Sequence, residues 1–332
     1  MFKLITGRRW VERSVRAKKQ EIWEKREYDI EEDKLSGLPD EVLLSILSLL
    51  SLKEAARTSV LARRWRRVWT FIPILNFDAS PALLALKERW RMVGSFDNKM
   101  LAVERDKYVD WVNLALEAYQ GSSIDELRVR FDLDEIHSYD IDKWVYFAIE
   151  KKVKRLVMKF QKCMAYVYNE KVYSFPPLRD TFKTLHYCRS LIALELNCVN
   201  ISGGVVEYFI ASCPYLRQLS VKYSDSLADL KVSGESLCLE YLKIVRCNKL
   251  KSIYISAENL LSFVYSGPTI KISFANVPNL VELSFDRIYA LRYLPQASNF
   301  AAQLVTLELK VLMPEVSILN YVFLVFVPLD FF

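Results

Sequence analysis

Seven segments of the form Leu-x-x-Leu-x-Leu, with other aliphatic or aromatic residues in some of the Leu places, constrain this chain more than any other feature. They begin at Ile124, Val153, Leu191, Leu216, Leu239, Leu280 and Leu304, at offsets of 29, 38, 25, 23, 41 and 24 residues. Two apolar side chains one residue apart project the same way from an extended backbone, so each segment offers one apolar strand face. A unit this short cannot bury that face alone, whereas stacked neighbours can.

The spacing is that of leucine-rich repeats with irregular units. It predicts a curved α/β solenoid over residues 121–312, and the offset of 41 predicts a degenerate unit near Leu260–Tyr265. Cys247 stands three residues after Ile244, where such repeats place Asn or Cys to bond the turn backbone. In the segment that begins at Leu191, Val199 fills the equivalent place, with Cys198 beside it. The thiols are read as structural, because no His lies at a fixed spacing to activate one.

Composition excludes several kinds of chemistry. Among 332 residues there are eight Gly, and neither GxGxxG nor GxxxxGK[ST] occurs, which argues against dinucleotide and P-loop sites. His137 and His186 are the two histidines, too few for a His-rich metal centre. The six Cys form no CxxC, which fits reduced thiols in the cytoplasm and/or nucleus. A net charge of +6 does not make nucleic acid the default partner. The apolar run Ile318–Phe332 is 15 residues long and contains Pro328 and Asp330, against about 20 for a spanning helix, so residues 313–332 read as a hydrophobic tail or buried strand. No metal, cofactor, nucleic acid or membrane is expected.

Residues 1–33 read as a charged extension, basic over 1–20 and acidic over 21–33. Residues 34–78 carry the signs of three short helices. Pro39 precedes Asp40 and Glu41 at a helix start, and the first helix is expected to reach about Leu50. Ser51 and Glu54 have capping-box spacing, and Ser59 is a candidate cap for a third helix with the stripe Leu61, Trp65, Val68 and Trp69. The first helix is apolar around most of its circumference, and a unit of about 40 residues cannot enclose all of that surface. Either a later part of the chain covers it or a partner protein does. Residues 79–120 read as a helical linker, with Tyr108, Trp111, Val112, Ala115 and Tyr119 at helical spacing.

The segment LSGLPDEVLLSILSLLSLKEAARTSVLARRWRRVW resembles the F-box of plant F-box proteins with leucine-rich repeats, the FBD-type family. The likeness lies in the Leu-Pro-Asp-Glu-Val opening, the Lys-Glu-Ala-Ala-Arg-Thr-Ser-Val-Leu middle and the Arg-Arg-Trp-Arg-x-x-Trp close. Ser51-Leu52 stands where the family usually has Pro-Thr, and Ser51 can cap the same helix start. The resemblance implies a non-catalytic substrate receptor of a cullin-RING ubiquitin ligase, bound to a Skp-type adaptor and through it to cullin. By the same resemblance Leu38, Pro39, Val42, Leu43, Ile46 and Leu47 are adaptor-interface candidates, supported by Leu61, Trp65 and Trp69. The two tryptophans suit a core and an interface alike. The resemblance also implies relatives that continue into a C-terminal FBD region, against which this chain's hydrophobic ending reads as a shortened product.

A repeat scaffold without a ligase role is the alternative function. The target is not legible. Tyr223, Arg246, Tyr254 and Tyr265 are surface candidates without further support. The run Arg57–Arg67 reads as a solvated face or a contact for acidic groups of a protein partner.

Overall fold

The apolar pairs that define the repeats stack in a single register. A computed structural model describes residues 37–61, 63–93, 98–160, 171–176, 188–234, 237–286, 303–311 and 320–325. The charged extension, His186, Cys163 and most of the hydrophobic tail lie outside the described residues. The chain divides between Trp69 and Thr70 into two compact units.

The first unit holds three short helices: α1 (Asp40–Leu47), α2 (Leu52–Arg57) and α3 (Trp65–Val68). The capping box expected from Ser51 and Glu54 is present. Ser51 Oγ accepts from the Glu54 N–H at 3.3 Å, and the Ser51 N–H donates to Glu54 Oε2 at 2.9 Å. Ser51 therefore caps the start of α2, as its spacing to Glu54 predicts. Helix α1 stops at Leu47, short of the expected Leu50. Ser59 lies inside the 3-10 turn Thr58–Val60 and not at the start of α3, which is only four residues long. Arg64 Nε donates to Asp40 Oδ1 at 3.0 Å and so ties the approach to α3 to the first turn of α1.

In the second unit the principal sheet has ten strands. In order they are β1 (Ile74–Asp78), β2 (Glu126–Arg130), β3 (Arg155–Lys159), β4 (Ala193–Asn197), β5 (Gln218–Lys222), β7 (Tyr241–Val245), β9 (Ser262–Ser266), β11 (Glu282–Asp286), β12 (Thr306–Val311) and β13 (Asn320–Val325). Nine run parallel and β13 returns antiparallel to β12. Leu127, Leu156, Leu194, Leu219, Leu242, Phe263, Leu283 and Leu307 form one row across the sheet, all of them buried. The degenerate unit is β9, with Phe263 and Tyr265 in the two apolar places. This is an α/β leucine-rich-repeat solenoid, preceded in the chain by the small helical unit.

The ladder begins one rung before the sequence reading placed it. Strand β1 pairs in register with β2, Leu75 opposite Leu127 and Phe77 opposite Val129. The Ile72-x-x-Leu75-x-Phe77 pattern is that of the later repeats, and all three side chains are buried. The Asp125 and Glu126 N–H groups both reach the Pro73 carbonyl, as those of Ile192 and Ala193 reach Lys154 O two rungs later. The 79–120 stretch is helical as expected, with α4 (Ser80–Val93) and α5 (Asn98–Ala118).

The return segments differ along the array. Helix α6 (Ser138–Glu150) leads into β3 and α7 (Gly203–Ser212) leads into β5. From β5 onward the return is extended: β6 (Asp229–Ser233), β8 (Ser252–Ser256) and β10 (Lys271–Asn276) form a second parallel sheet in the order β10-β8-β6. Helix and second sheet meet closely at Gly203, where a Cβ would fall 1.9 Å from Asp229 O. There Glu207 of α7 accepts the edge N–H of Lys231 at 2.9 Å, covering an otherwise open strand edge. Phe263 of β9 packs edge-on against Phe274 of β10 at 5.7 Å, joining the two sheets.

Helix α5 is locked to the turn after β2 by a buried ion group. Arg105 Nη2 lies 2.6 Å from Asp132 Oδ1 and its Nη1 lies 2.6 Å from Asp134 Oδ2, while Nε donates to Asp132 O. His137 Nδ1 joins Asp134 Oδ1 at 3.1 Å. Among the described residues no helix is long and apolar enough to cross a membrane.

Candidate protein-interaction surfaces

Within the helical unit the nine residues singled out from the sequence take three kinds of position. Leu43, Leu47 and Trp65 are buried and, with Leu52, Ala55 and Val68, form its interior. Leu38, Ile46 and Trp69 are half-buried. Pro39, Val42 and Leu61 are exposed, Leu61 at 66%. Leu49 and Val60, both 86% exposed, are further apolar side chains left outside the core. Neither was singled out for the interface, because a leucine-rich run does not itself show which residues a short helix turns outward.

The turn chemistry of the repeats explains several polar and sulfur-bearing residues. Cys247 Sγ lies 3.7 Å from Val245 O and 3.9 Å from Val221 O, in the backbone-bonding role expected of it. Burial pushes its thiol up to about 11. Ser224 fills the same slot one repeat earlier, fully buried. Its hydroxyl accepts from the Ile201 N–H at 3.0 Å and donates to Ile201 O at 3.3 Å. Cys188 and Cys213 are both buried, and the hydrogen bond between their side chains together with burial raises the Cys213 thiol well above its ordinary value. The residues that follow β4, β5 and β7, namely Cys198, Tyr223 and Arg246, all adopt positive φ near +55°. The Arg246 guanidinium stands 5.7 Å from the centre of the Tyr223 ring, so both surface candidates belong to one stack. Tyr254 is exposed, whereas Tyr265 is buried and its hydroxyl donates to Pro268 O.

On the sheet face opposite the apolar rows, alternate strand residues form charged tiers. Glu195 sits between two lysines, with Lys159 Nζ 3.0 Å and Lys222 Nζ 3.1 Å away. Burial pushes the Glu195 carboxyl upward, but the two ammonium groups outweigh it and hold the group below its ordinary value. A recess opens beside this triad over β3, β4, β5 and β7. Among the described residues no group of three or more His, Cys, Asp or Glu side chains is placed to hold a metal.

Two family models match the chain. The one described as "At1g61320/AtMIF1, LRR domain" matches residues 116–323, well over half of the chain, and the F-box domain matches residues 35–76. The chain belongs to the plant F-box/leucine-rich-repeat family. Among its relatives in Arabidopsis thaliana, F-box/FBD/LRR-repeat protein At5g22700 is 26% identical over 64% of this chain and 47% of its own length. F-box/FBD/LRR-repeat protein At1g13570 is 28% identical over 79% of this chain and 64% of its own. F-box/LRR-repeat protein At3g58900 is 27% identical over 75% and 78%. The chain thus spans about half to two thirds of the length of the first two relatives. The F-box match coincides with the helical unit and β1, and the repeat match takes in the strands from β2 onward.

Proposed function

We propose that this F-box/leucine-rich-repeat chain is the substrate-recognition subunit of an SCF-type cullin-RING ubiquitin ligase, acting in the cytoplasm or nucleus. The F-box holds a Skp-type adaptor and through it cullin, and the repeat sheet holds a target protein. Family membership in both matched regions supports this reading. The observation that carries it is the apolar surface left on the helical unit. Leu43, Leu47 and Trp65 close its interior, while Val42, Leu49, Val60 and Leu61 stay exposed. Single exposed leucines are ordinary in folded proteins, but several on so small a unit mark a surface that another protein covers.

In this role the chain performs no bond chemistry. It raises the effective concentration of the target beside a charged conjugating enzyme, and proximity accounts for the rate. The test is co-purification of the folded chain with a Skp-type adaptor, followed by size-exclusion chromatography. A single co-eluting peak is expected. Folded protein that elutes alone overturns the ligase role and leaves a repeat scaffold.

A further inference from the structure

We propose that Cys188 and Cys213 form a redox modification site, in which hydrogen peroxide converts the two thiols into a disulfide that ties the rung of β4 to the rung of β5. The site is independent of the ligase role. Cys188 stands three residues before Leu191 and Cys213 three before Leu216, the residues that open the segments leading into β4 and β5. The two strands pair directly, Ala193 opposite Gln218, and the offset of 25 residues in that register is also the offset from Cys188 to Cys213.

The local turns match as well. The Leu191 N–H donates to Cys188 O at 3.4 Å, and the Leu216 N–H donates to Cys213 O at 3.0 Å. Cys188 and Cys213 are therefore stacked on adjacent rungs. Neighbouring strands lie about 4.8 Å apart, inside the roughly 4.4–6.8 Å between Cα atoms that a disulfide spans. Both side chains are enclosed, at 2% and 0% exposure, and they hydrogen-bond to each other.

Cys213 donates in that hydrogen bond, which holds the Cys188 thiol below its ordinary value and pushes Cys213 up. Cys188 ionises first and is the nucleophile. Its sulfur attacks one oxygen of hydrogen peroxide, the O–O bond breaks, and Cys188 becomes a sulfenic acid while the released hydroxide takes up the proton of its thiol as water. The Cys213 sulfur then displaces hydroxide from the sulfenic acid, and its own proton leaves with that hydroxide as a second water. Two thiols are oxidised to one disulfide, and one peroxide is reduced to two waters. Peroxide is small enough to reach the enclosed pair during local opening. Cys247 lacks this arrangement, because its sulfur meets backbone carbonyls and its thiol is pushed up to about 11. Disulfides in reducing compartments are mostly transient redox responses, which fits a pair whose thiols are free at rest.

The test treats the folded full chain with hydrogen peroxide, alkylates the remaining thiols with iodoacetamide in urea, and maps every cysteine by tandem mass spectrometry. Fragmentation is required because Cys198 and Cys213 fall in one tryptic peptide. A Cys188–Cys213 disulfide is expected as the principal cross-link, and dithiothreitol is expected to remove it. Closing a loop of this length is expected to raise Tm by about 5 °C or more over the reduced chain, with no such rise in Cys188→Ala treated alike. Cys213→Ala oxidised in the presence of dimedone is expected to carry the adduct on Cys188 and not on Cys247. Full alkylation of both cysteines after peroxide has oxidised methionines in the same sample overturns the proposal. So does a principal cross-link to any other cysteine, an equal Tm for oxidised and reduced parent chains, or a dimedone adduct on Cys247 in place of Cys188. The cross-link map and the Tm comparison need only the parent chain, so they decide the matter even where a variant fails to fold.

Discussion

Arg105 of α5 reaches across to Asp134 in the turn after β2 with an Nη1–Oδ2 distance of 2.6 Å, both side chains almost wholly enclosed. Asp132 makes a second such pair with the same guanidinium. Arg105→Ala leaves two buried carboxylates without their cation, and removal of one partner from a buried pair costs about 3–5 kcal/mol. Urea denaturation followed by circular dichroism is expected to show that loss. A loss under about 1 kcal/mol, the scale of an exposed pair, contradicts a locking role.

The surface and interior residues of the F-box are expected to separate by assay. Leu47→Ala empties a fully buried position and should destabilise the unit by about 2–5 kcal/mol. Leu61→Asp alters an exposed side chain and should leave the thermal midpoint close to the parent while weakening adaptor binding. Leu38→Ala with Pro39→Ala is expected to reduce adaptor affinity by about 2 kcal/mol or more, as truncated interface anchors do. Thermal and urea denaturation read the stability of the first two variants, and isothermal titration calorimetry against a purified Skp-type adaptor reads the affinity of the last two.

Glu195 gives a pH dependence with a defined sign. Its carboxyl is held below the ordinary value by Lys159 and Lys222, so it stabilises the fold above its unfolded pKa. That stability is lost as pH falls through the lower folded value. Urea midpoints measured from pH 6 down to pH 3 should therefore fall less steeply for Glu195→Gln than for the parent in the acid range below about 4.3. Identical slopes refute the triad's contribution.

Cys247 should resist alkylation while the repeats are folded. Its thiol is enclosed by the turn and pushed up to about 11, so little thiolate exists at pH 8. Mass spectrometry after iodoacetamide treatment is expected to find Cys247 unmodified in buffer and modified in urea. Modification at equal rates in both conditions rules out the enclosed turn.

The rows of the main sheet were legible because each strand is buried on one face, and the resulting pattern survives even where Phe263 and Tyr265 replace aliphatic residues. The first rung was hidden by adjacency. Ile72, Leu75 and Phe77 directly follow the helical unit and read as its close, although their spacing is that of the repeats. The second sheet was missed for a related reason. Leu227-x-x-Leu230-x-Val232 and Leu250-x-x-Ile253-x-Ile255 carry the same pattern out of phase, in the spans between the repeat segments. The recess was not legible at all. Ser220, Lys222 and Lys243 are unremarkable in sequence and gather only because β5 and β7 align in register.

Because each strand of the ladder hydrogen-bonds only to its neighbours in the sheet, the array can melt from its margins inward without losing its middle at once. The recess occupies rungs with other strands on either side, β1 and β2 before it and β9, β11, β12 and β13 after it. Amide protons of β4 and β5 should accordingly be among the last to exchange, so that the middle of the sheet stays formed while outer rungs open and close.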